Sequence, residues 1–208
     1  MSRVRTRPTR DDTCEKLFEA AAQVFEEQGI GGASIEAIAA AAGFTRGAFY
    51  SNFDSKDELI IAMLEEHVAQ SIRRTLDLLE RYKNPDDFIQ ALRSMDRTRQ
   101  DPLSRAPLLH MEMILYVARA EQRRPELAKR LRARRKLVAE IVETTMRSSG
   151  RPAPNAAWTG AILLAMEDGF RLHRLIDPET TPADSFLRAI TDLQRALGDV
   201  AGSFGERP

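Results

Sequence analysis

Residues 43–59 read Gly-Phe-Thr-Arg-Gly-Ala-Phe-Tyr-Ser-Asn-Phe-Asp-Ser-Lys-Asp-Glu-Leu, and this stretch decides the fold. Thr45 can cap a short helix over about 46–51, and Ser55 with Glu58 has the spacing of a capping box that starts a longer helix. A helix of six residues builds no core of its own. We therefore expect it to be inserted into a groove, and the major groove of DNA has a suitable width.

The residues before this stretch predict two more helices. Ser34 can accept from the free amides of a first helical turn, and Glu36 complements the positive end of that turn. Gly43 suits the left-handed residue that follows the last turn. An amphipathic helix over about 11–28 comes first and is broken at Gly29. The order is therefore helix, helix, tight turn, short helix and capped long helix.

This part of the chain resembles the DNA-binding domain of the tetracycline-repressor family of transcriptional regulators. The resemblance covers about residues 11–64, and its motifs are Ser34 to Ala39, Ala42 to Thr45, Ala48 to Phe53 and Lys56 to Leu59. It implies DNA contacts at the positions of Ser34, Thr45, Arg46, Ala48, Tyr50, Ser51, Asn52 and Lys56.

The chemistry of these side chains agrees with contact to DNA. The fork of Arg46 can hold guanine O6 and N7 together, although a phosphate contact or a solvated arginine explains it equally well. Tyr50 suits a phosphate, and Lys56 lies where first-turn amides and an ammonium suit another. Gly47 and Ala48 lack bulk, so the helix can approach closely.

The remaining polar residues have two explanations each. Thr45 and Ser34 serve as caps and can also meet the DNA backbone, while Ser51 and Asn52 suit backbone or base edges. Some family members carry an aromatic residue in place of Ser51, a histidine in place of Asn52 and a basic residue in place of Glu36. The operator of another member is therefore not transferred to this chain.

Composition places the chain among soluble globular proteins. Of its 208 residues, 43% are hydrophobic and 30% are charged, with no net charge. We find no membrane-spanning run and no secretory signal, and the single Cys14 excludes an internal disulfide. No nucleophile motif, phosphate loop, dinucleotide fingerprint or metal spacing occurs. We expect a cytoplasmic protein that is not an enzyme and uses no metal or cofactor.

The chain is predicted to be all-α, with about nine helices, since strand-like alternation is missing. We assign 1–10 to a basic N-terminal arm, 11–55 to the helix-turn-helix domain, 56–201 to a helical ligand-binding and dimerisation domain, and 202–208 to a tail. The arm suits phosphates or a minor groove, or is only a solubilising tail. Helices after the helix-turn-helix are expected at about 56–82, 85–101, 106–121, 125–149, 155–176 and 183–200, with a loop at 101–105.

Two of these helices suit contact with a second copy. Helix 183–200 has a narrow seam at spacings of four and three. Helix 155–176 is apolar on two sides, so each side needs a partner. One side packs on the core of the same chain, and the other is covered either by more of that core or by a second copy of the chain. The resemblance implies a dimer through these last two helices, and two short helices held one DNA turn apart would read an inverted repeat. The seam residues are Phe186, Ile190, Leu193, Leu197 and Val200.

The resemblance also implies an effector pocket in the second domain, whose occupant releases DNA. Its candidates are large or soft side chains and histidines, each of which core filling explains as well. They are Met63, His67, Phe88, Met95, His110, Met113, Tyr116, Trp158, Met166 and Phe170. The predicted function is a regulator, in the main reading a repressor, that binds double-stranded DNA as a homodimer and is released by a small hydrophobic molecule. The alternatives are a helical protein-interaction module and an activator without inducer release.

Overall fold

The computed structural model describes residues 9–94, 102–148 and 155–193, and every regular element in these ranges is a helix. The all-α prediction is confirmed. None of the described helices is both long enough and apolar enough to cross a membrane. In chain order the helices are α1 (Arg10–Gly32), α2 (Ile35–Ala41), α3 (Arg46–Tyr50), α4 (Lys56–Arg81), α5 (Pro85–Ser94), α6 (Pro102–Arg105), α7 (Pro107–Arg119), α8 (Arg124–Ser148), α9 (Ala156–Ile176) and α10, whose described part covers 185–193.

Local capping determines where the first helices begin and end. The hydroxyls of Ser34 and Thr45 accept hydrogen bonds from the amides of Ala37 at 3.0 Å and Ala48 at 3.2 Å. Gly29 and Gly43 adopt φ values of 71° and 72°, a region that favours glycine. Gly29 kinks α1, which continues to Gly32 and not only to residue 28. The predicted caps at Ser34 and Thr45 and the glycine breaks are therefore confirmed.

Two local predictions need correction. The Ser55 hydroxyl accepts from the Glu58 amide at 3.1 Å, as a capping box requires, but the Glu58 carboxylate accepts from the amide of Asp54 at 2.6 Å and not from that of Ser55. The expected loop at 101–105 contains the single-turn helix α6. Its first residue is Pro102, which suits a first helical position because its nitrogen has no hydrogen to leave unpaired.

The chain divides into two compact units. The first comprises residues 1–73 and 96–130, and the second comprises 74–95 and 131–208. The first unit therefore holds α1 to α3, most of α4, α6, α7 and the start of α8. The second holds the rest of α4 and α8 together with α5, α9 and α10. The domain limits that we predicted at residues 10, 55 and 201 stay predictions.

The core of the first unit joins the helix-turn-helix to the helices that follow it. Leu17 and Phe25 of α1, Phe49 of α3 and Leu59 of α4 are fully buried in one cluster, which Met113 of α7 also enters. Burying a side chain of this kind stabilises a protein by roughly 1.5–3 kcal/mol. Tertiary packing, and not helix propensity, thus holds the five-residue α3 in place.

In the second unit, α9 packs closely on α8. A Cβ atom on Gly160 would lie 3.0 Å from the main-chain nitrogen of Ala139, so only glycine fits there without displacing the backbone. Arg134 of α8 pairs with Glu167 of α9 at 3.1 Å and approaches Asp168 at 3.9 Å. Burial raises the pKa of Asp168, while the positive charge of Arg134 opposes that shift. Charge pairing and close packing together fix this pair of helices.

Candidate nucleic-acid interface

One side of α3 is anchored in the core and the other faces outward. The rings of Phe49 and Phe53 lie 5.8 Å apart and are buried. On the outer side, Thr45, Arg46, Gly47, Tyr50 and Ser51 are exposed, whereas Ala48 and Asn52 are half-buried. The structure therefore presents most of the predicted DNA-contacting residues of this segment on one surface.

Arg46 is held by its neighbours on this surface. One guanidinium nitrogen pairs with the Glu36 carboxylate of α2 at 2.8 Å, and another donates to the Tyr50 hydroxyl at 3.4 Å. The guanidinium carbon also lies 5.4 Å from the centre of the Tyr50 ring. The hydrogen bond to Tyr50, followed by the charge of Glu36, raises the pKa of Arg46. Contacts within the chain thus orient the planar guanidinium and partly compensate its charge.

The polar side chains at the end of α3 bind back to the protein. The Ser51 hydroxyl donates to the carbonyl of Gly47 at 2.9 Å, and the Asn52 amide nitrogen donates to the carbonyl of Ala48 at 2.8 Å. The Asn52 amide oxygen accepts a long contact of 3.7 Å from the Cys14 thiol of α1. Asn52 therefore ends α3 and ties it to α1, a structural role that the sequence did not reveal because Cys14 is 38 residues away.

Lys56 lies at the start of α4 and reaches back to the end of α1. Its ammonium donates to the carbonyl of Ile30 at 2.6 Å and to that of Ala33 at 2.8 Å. These oxygens belong to the end of a helix, where carbonyls have no helical partner and a positive charge is favourable. Because an ammonium has three hydrogens, one remains for a phosphate. The sequence indicated the phosphate role and missed the tie between α1 and α4.

Later helices of the first unit are tied to the elements that carry α3. Arg105 of α6 forms a close ion pair with Glu19 of α1. The Tyr116 hydroxyl of α7 donates to the Asp57 carboxylate, in the first turn of α4, at 3.0 Å. Burial, and then this hydrogen bond, raises the pKa of Tyr116. Arg130 of α8 donates to a main-chain oxygen of α4 at 3.0 Å. α6, α7 and the first turns of α8 are therefore held directly to α1 and α4, the helices on either side of the α2–α3 segment in the chain.

Two family models match the chain. The model of bacterial regulatory proteins of the tetR family matches residues 17–63. The model of the tetracyclin repressor-like C-terminal domain matches residues 83–196, which is more than half of the chain. The chain belongs to the tetracycline-repressor family. It carries the helix-turn-helix domain of this family of transcriptional regulators, as the resemblance of residues 11–64 implied.

Individual members of the family agree with this assignment. The regulator TtgR of Pseudomonas putida is 34% identical over 91 residues, which is 44% of this chain and only 41% of TtgR. The reduced form of NemR from E. coli has a TM-score of 0.65 at 22% identity, covering 87% of this chain and 97% of NemR. SmeT, the repressor of the Stenotrophomonas maltophilia multidrug efflux pump SmeDEF, has a TM-score of 0.58 at 20% identity, covering 92% and 90%. These structural likenesses show the fold alone.

The predicted effector-pocket residues of this tetracycline-repressor family member fall in both compact units. In the first unit, Met63 and His67 of α4 and His110 and Met113 of α7 are buried, and the two histidine rings lie 4.4 Å apart. Tyr116 is half-buried there. The two imidazoles and the methionine side chains thus lie close together. This arrangement is compatible both with ordinary core packing and with a ligand site.

The second unit holds the other candidates. Phe88 is buried, while Met166 and Phe170 are half-buried. Trp158 is 67% exposed and so lies on a surface in this single copy of the chain. Met95 lies outside the described residues.

The predicted dimerisation surface is described in part. On α10, Phe186 and Ile190 are half-buried and Leu193 is 50% exposed, whereas Leu197 and Val200 lie outside the described residues. A larger apolar surface follows one side of α9, and we call it the α9 stripe. Its members recur at helical spacing and are exposed in this copy: Trp158 at 67%, Ile162 at 49%, Leu172 at 44% and Ile176 at 75%. The sequence predicted two apolar sides for this helix, but it did not single out Leu172 and Ile176.

Proposed function

We propose that this family member is a repressor that binds an inverted-repeat operator in double-stranded DNA as a homodimer and is released by a small hydrophobic molecule. The observation that carries the DNA-binding part is the exposed side of α3. A five-residue helix presents an arginine and a tyrosine on its exposed side, while Phe49 on its opposite side is buried in the core. Such a helix supplies the base contacts of helix-turn-helix proteins.

Arg46 is the proposed base-reading residue. Its guanidinium must leave Glu36 before it donates two parallel hydrogen bonds to a guanine, so the Arg46–Glu36 ion pair is exchanged for a better-matched partner. The hydroxyl of Tyr50 then contacts a phosphate. Gly47 supports a close approach, because a Cβ atom there would meet only the Thr45 hydroxyl, at an ordinary 3.8 Å. Packing within the chain does not require glycine at that position, and a nearby DNA surface would.

The other proposed contacts go to the DNA backbone. The hydroxyls of Ser34 and Thr45 accept hydrogen bonds as helix caps. Their main-chain N–H groups and the hydrogens of these hydroxyls can still donate to phosphates. Lys56 contributes its third hydrogen in the same way. The side chains of Ser51 and Asn52 fix the end of α3, and Ala48 offers a methyl group to a thymine methyl. These residues position the helix, and Arg46 selects the sequence.

A second copy of the chain is the proposed partner of the α9 stripe. Four large apolar side chains lie exposed along one side of one helix, and exposed apolar surface on one face is typical of protein–protein contact sites. Trp158 at its start is the kind of side chain that dominates association energy. Pairing through α9, together with α10, would match the dimer that the family resemblance implies, and the same patch would serve both copies.

A small hydrophobic effector is proposed to release the protein from DNA. A structural neighbour is a complex of SmeT with triclosan, with a TM-score of 0.55 at 23% identity, covering 82% of this chain and 83% of that one. In this chain, the Arg105–Glu19 and Tyr116–Asp57 contacts would carry a shift of α6 or α7 to α1 and α4. The effector must bind the conformation without DNA more tightly, by the free energy that operator binding loses.

Selection of bound sequences from a random duplex pool tests the proposal. Wild-type protein should enrich an inverted repeat at physiological salt. Arg46→Ala should lose discrimination at one base pair in each half-site, by roughly 5- to 150-fold. The matched control is Arg147→Ala, which removes an exposed arginine from α8. Lack of enrichment by the wild-type protein would instead favour the protein-interaction module.

A further inference from the structure

A line of uncharged residues along α9, within the second compact unit, has the spacing of a helix-pairing seam. Its members alternate at intervals of four and three, as residues do where one helix packs along another. Glu167 in the middle of α9 is turned away from this line, since it pairs with Arg134 of α8 at 3.1 Å. The line consists of the α9 stripe with two small residues between its halves: Trp158, Ile162, Ala165, Gly169, Leu172 and Ile176.

The two small residues leave room in the middle of this line. A Cβ atom on Gly169 would meet no atom within 4 Å, whereas one on Gly160 would strike α8. Packing within one copy therefore does not require glycine at position 169, although glycine inside a helix costs about 1 kcal/mol relative to alanine. Ala165, one turn earlier, is exposed. Because the distance between two packed helices depends on the side chains at their contact, a second helix can approach most closely here.

The line is symmetric about position 167. If two copies of α9 pack antiparallel with a twofold axis at that position, large residues face large ones and small residues face small ones. The facing pairs are Trp158 with Ile176, Ile162 with Leu172, and Ala165 with Gly169 of the second copy. The layer between the helices is then thin at the crossing and filled at both ends. A parallel pair would instead set Trp158 against itself and bring like ends of the two helix dipoles together.

The exposed area of the stripe is sufficient for much of a stable contact. Side chains of this size have roughly 150–250 Å² of surface, so the exposed fractions of the stripe amount to on the order of 400 Å² in one copy. A pair would bury about twice that from these four side chains alone, which approaches the roughly 1,000 Å² that a specific interface needs. The residues beside the line would add the rest.

We propose that two copies of the chain pair through α9 in an antiparallel arrangement, with the twofold axis at position 167 and a close crossing at Ala165 and Gly169. The inference rests on the homodimer of the proposed function and adds which residue of one copy meets which residue of the other. Because a helix with a large side chain at the crossing does not fit, this arrangement also selects a second copy of the chain over other apolar helices.

Distances between spin labels test the arrangement. Cys14→Ser removes the chain's single cysteine, and single cysteines are then placed at Ala157, Ala161 or His173 and labelled for pulsed electron paramagnetic resonance. Ala161 and His173 each lie six residues from position 167, on opposite sides of it, and Ala157 lies ten residues from it. With a rise of 1.5 Å per residue, the two labels of a dimer should be separated along the helices by about 18 Å for Ala161 and His173 and by about 30 Å for Ala157.

A substitution at the crossing tests the close approach. Gly169→Leu should raise the dimer dissociation constant more than about tenfold in sedimentation, because the added side chain overfills the contact. It should leave the helical circular dichroism of the chain unchanged, since the space around Gly169 is open within one copy. Arg174→Leu is the control, because it adds the same side chain at an exposed position of α9 off the line and should leave dimerisation unchanged.

The outcomes separate this arrangement from the homodimer itself. Three equal label distances would indicate a parallel pair, and unequal distances for Ala161 and His173 would place the axis elsewhere. Either result, or a Gly169→Leu dimer of wild-type affinity, would overturn the arrangement and leave the homodimer of the proposed function standing. A wild-type protein that stays monomeric at micromolar concentration would overturn both. No DNA is present in these measurements, so the operator selection is judged separately.

Discussion

Replacing Lys56 with methionine tests whether this lysine holds α1 to α4 or only contacts phosphate. Methionine keeps an apolar stem of similar length and removes both hydrogen bonds to the carbonyls of Ile30 and Ala33. Hydrogen bonds to a charged group contribute about 1.5–3 kcal/mol each. Because Lys56 is only half-buried, water will replace part of this. We expect the free energy of unfolding of the first compact unit to fall by about 2 kcal/mol.

Urea unfolding followed by circular dichroism measures the total loss, and hydrogen exchange should locate it at the end of α1 and in α2. Lys136→Met is the control, since Lys136 is an exposed lysine of α8 with one weak ion pair. The salt dependence of operator binding is measured in parallel. Unchanged stability and exchange, together with a salt slope shallower by about one, would show that Lys56 is a phosphate contact and would refute the structural tie.

Three other substitutions give results of defined sign. Glu36→Gln removes the carboxylate that pairs with Arg46. Fluorescence anisotropy should then show tighter binding to scrambled duplexes than the wild type shows, and a smaller preference for the operator. An unchanged operator preference would contradict a role of the Glu36–Arg46 ion pair in specificity. Trp158→Glu places a charge in the α9 stripe, so sedimentation at micromolar concentration should show a monomer, and operator affinity should fall more than about tenfold. A dimer affinity equal to that of the wild type would show that the stripe is not part of the interface. Gly160→Ala forces a Cβ atom to 3.0 Å from a main-chain nitrogen of α8, so the melting temperature should fall. Helix propensity alone, which favours alanine by about 1 kcal/mol, predicts a rise, so the sign of the change decides between the two.

The parts of the fold that could be predicted from the sequence depend on neighbours a few residues apart. Ser34 and Thr45 cap helices through amides three residues later, and Gly43 has to adopt a positive φ where α2 ends. Phe49 and Phe53 follow from spacing as well, because one side of α3 must face the core. Such signals are local, so a single sequence contains all of the information that they need.

The contacts that the sequence did not reveal join distant residues. Lys56 reaches a carbonyl 26 positions earlier, and Arg105 pairs with Glu19 across 86 positions. Side-chain type alone does not distinguish these partners from many others. The α9 stripe was missed in part for a related reason. Periodicity shows that Leu172 and Ile176 share one side of a helix, but it does not show whether that side is covered within one copy of the chain.

The ion pair between Glu36 and Arg46 has a consequence for how Arg46, as the proposed base-reading residue, would find its site. A regulator searching a genome encounters non-cognate sequence almost everywhere. There the arginine gains little by exchanging its carboxylate for a phosphate, so attraction to the DNA backbone is weaker and sliding is faster. A guanine in the right register offers two acceptors at once and opens the pair. With Arg46 in the proposed role, Glu36 would shorten the residence time on wrong sequences, and the protein would give up some binding strength for a quicker search.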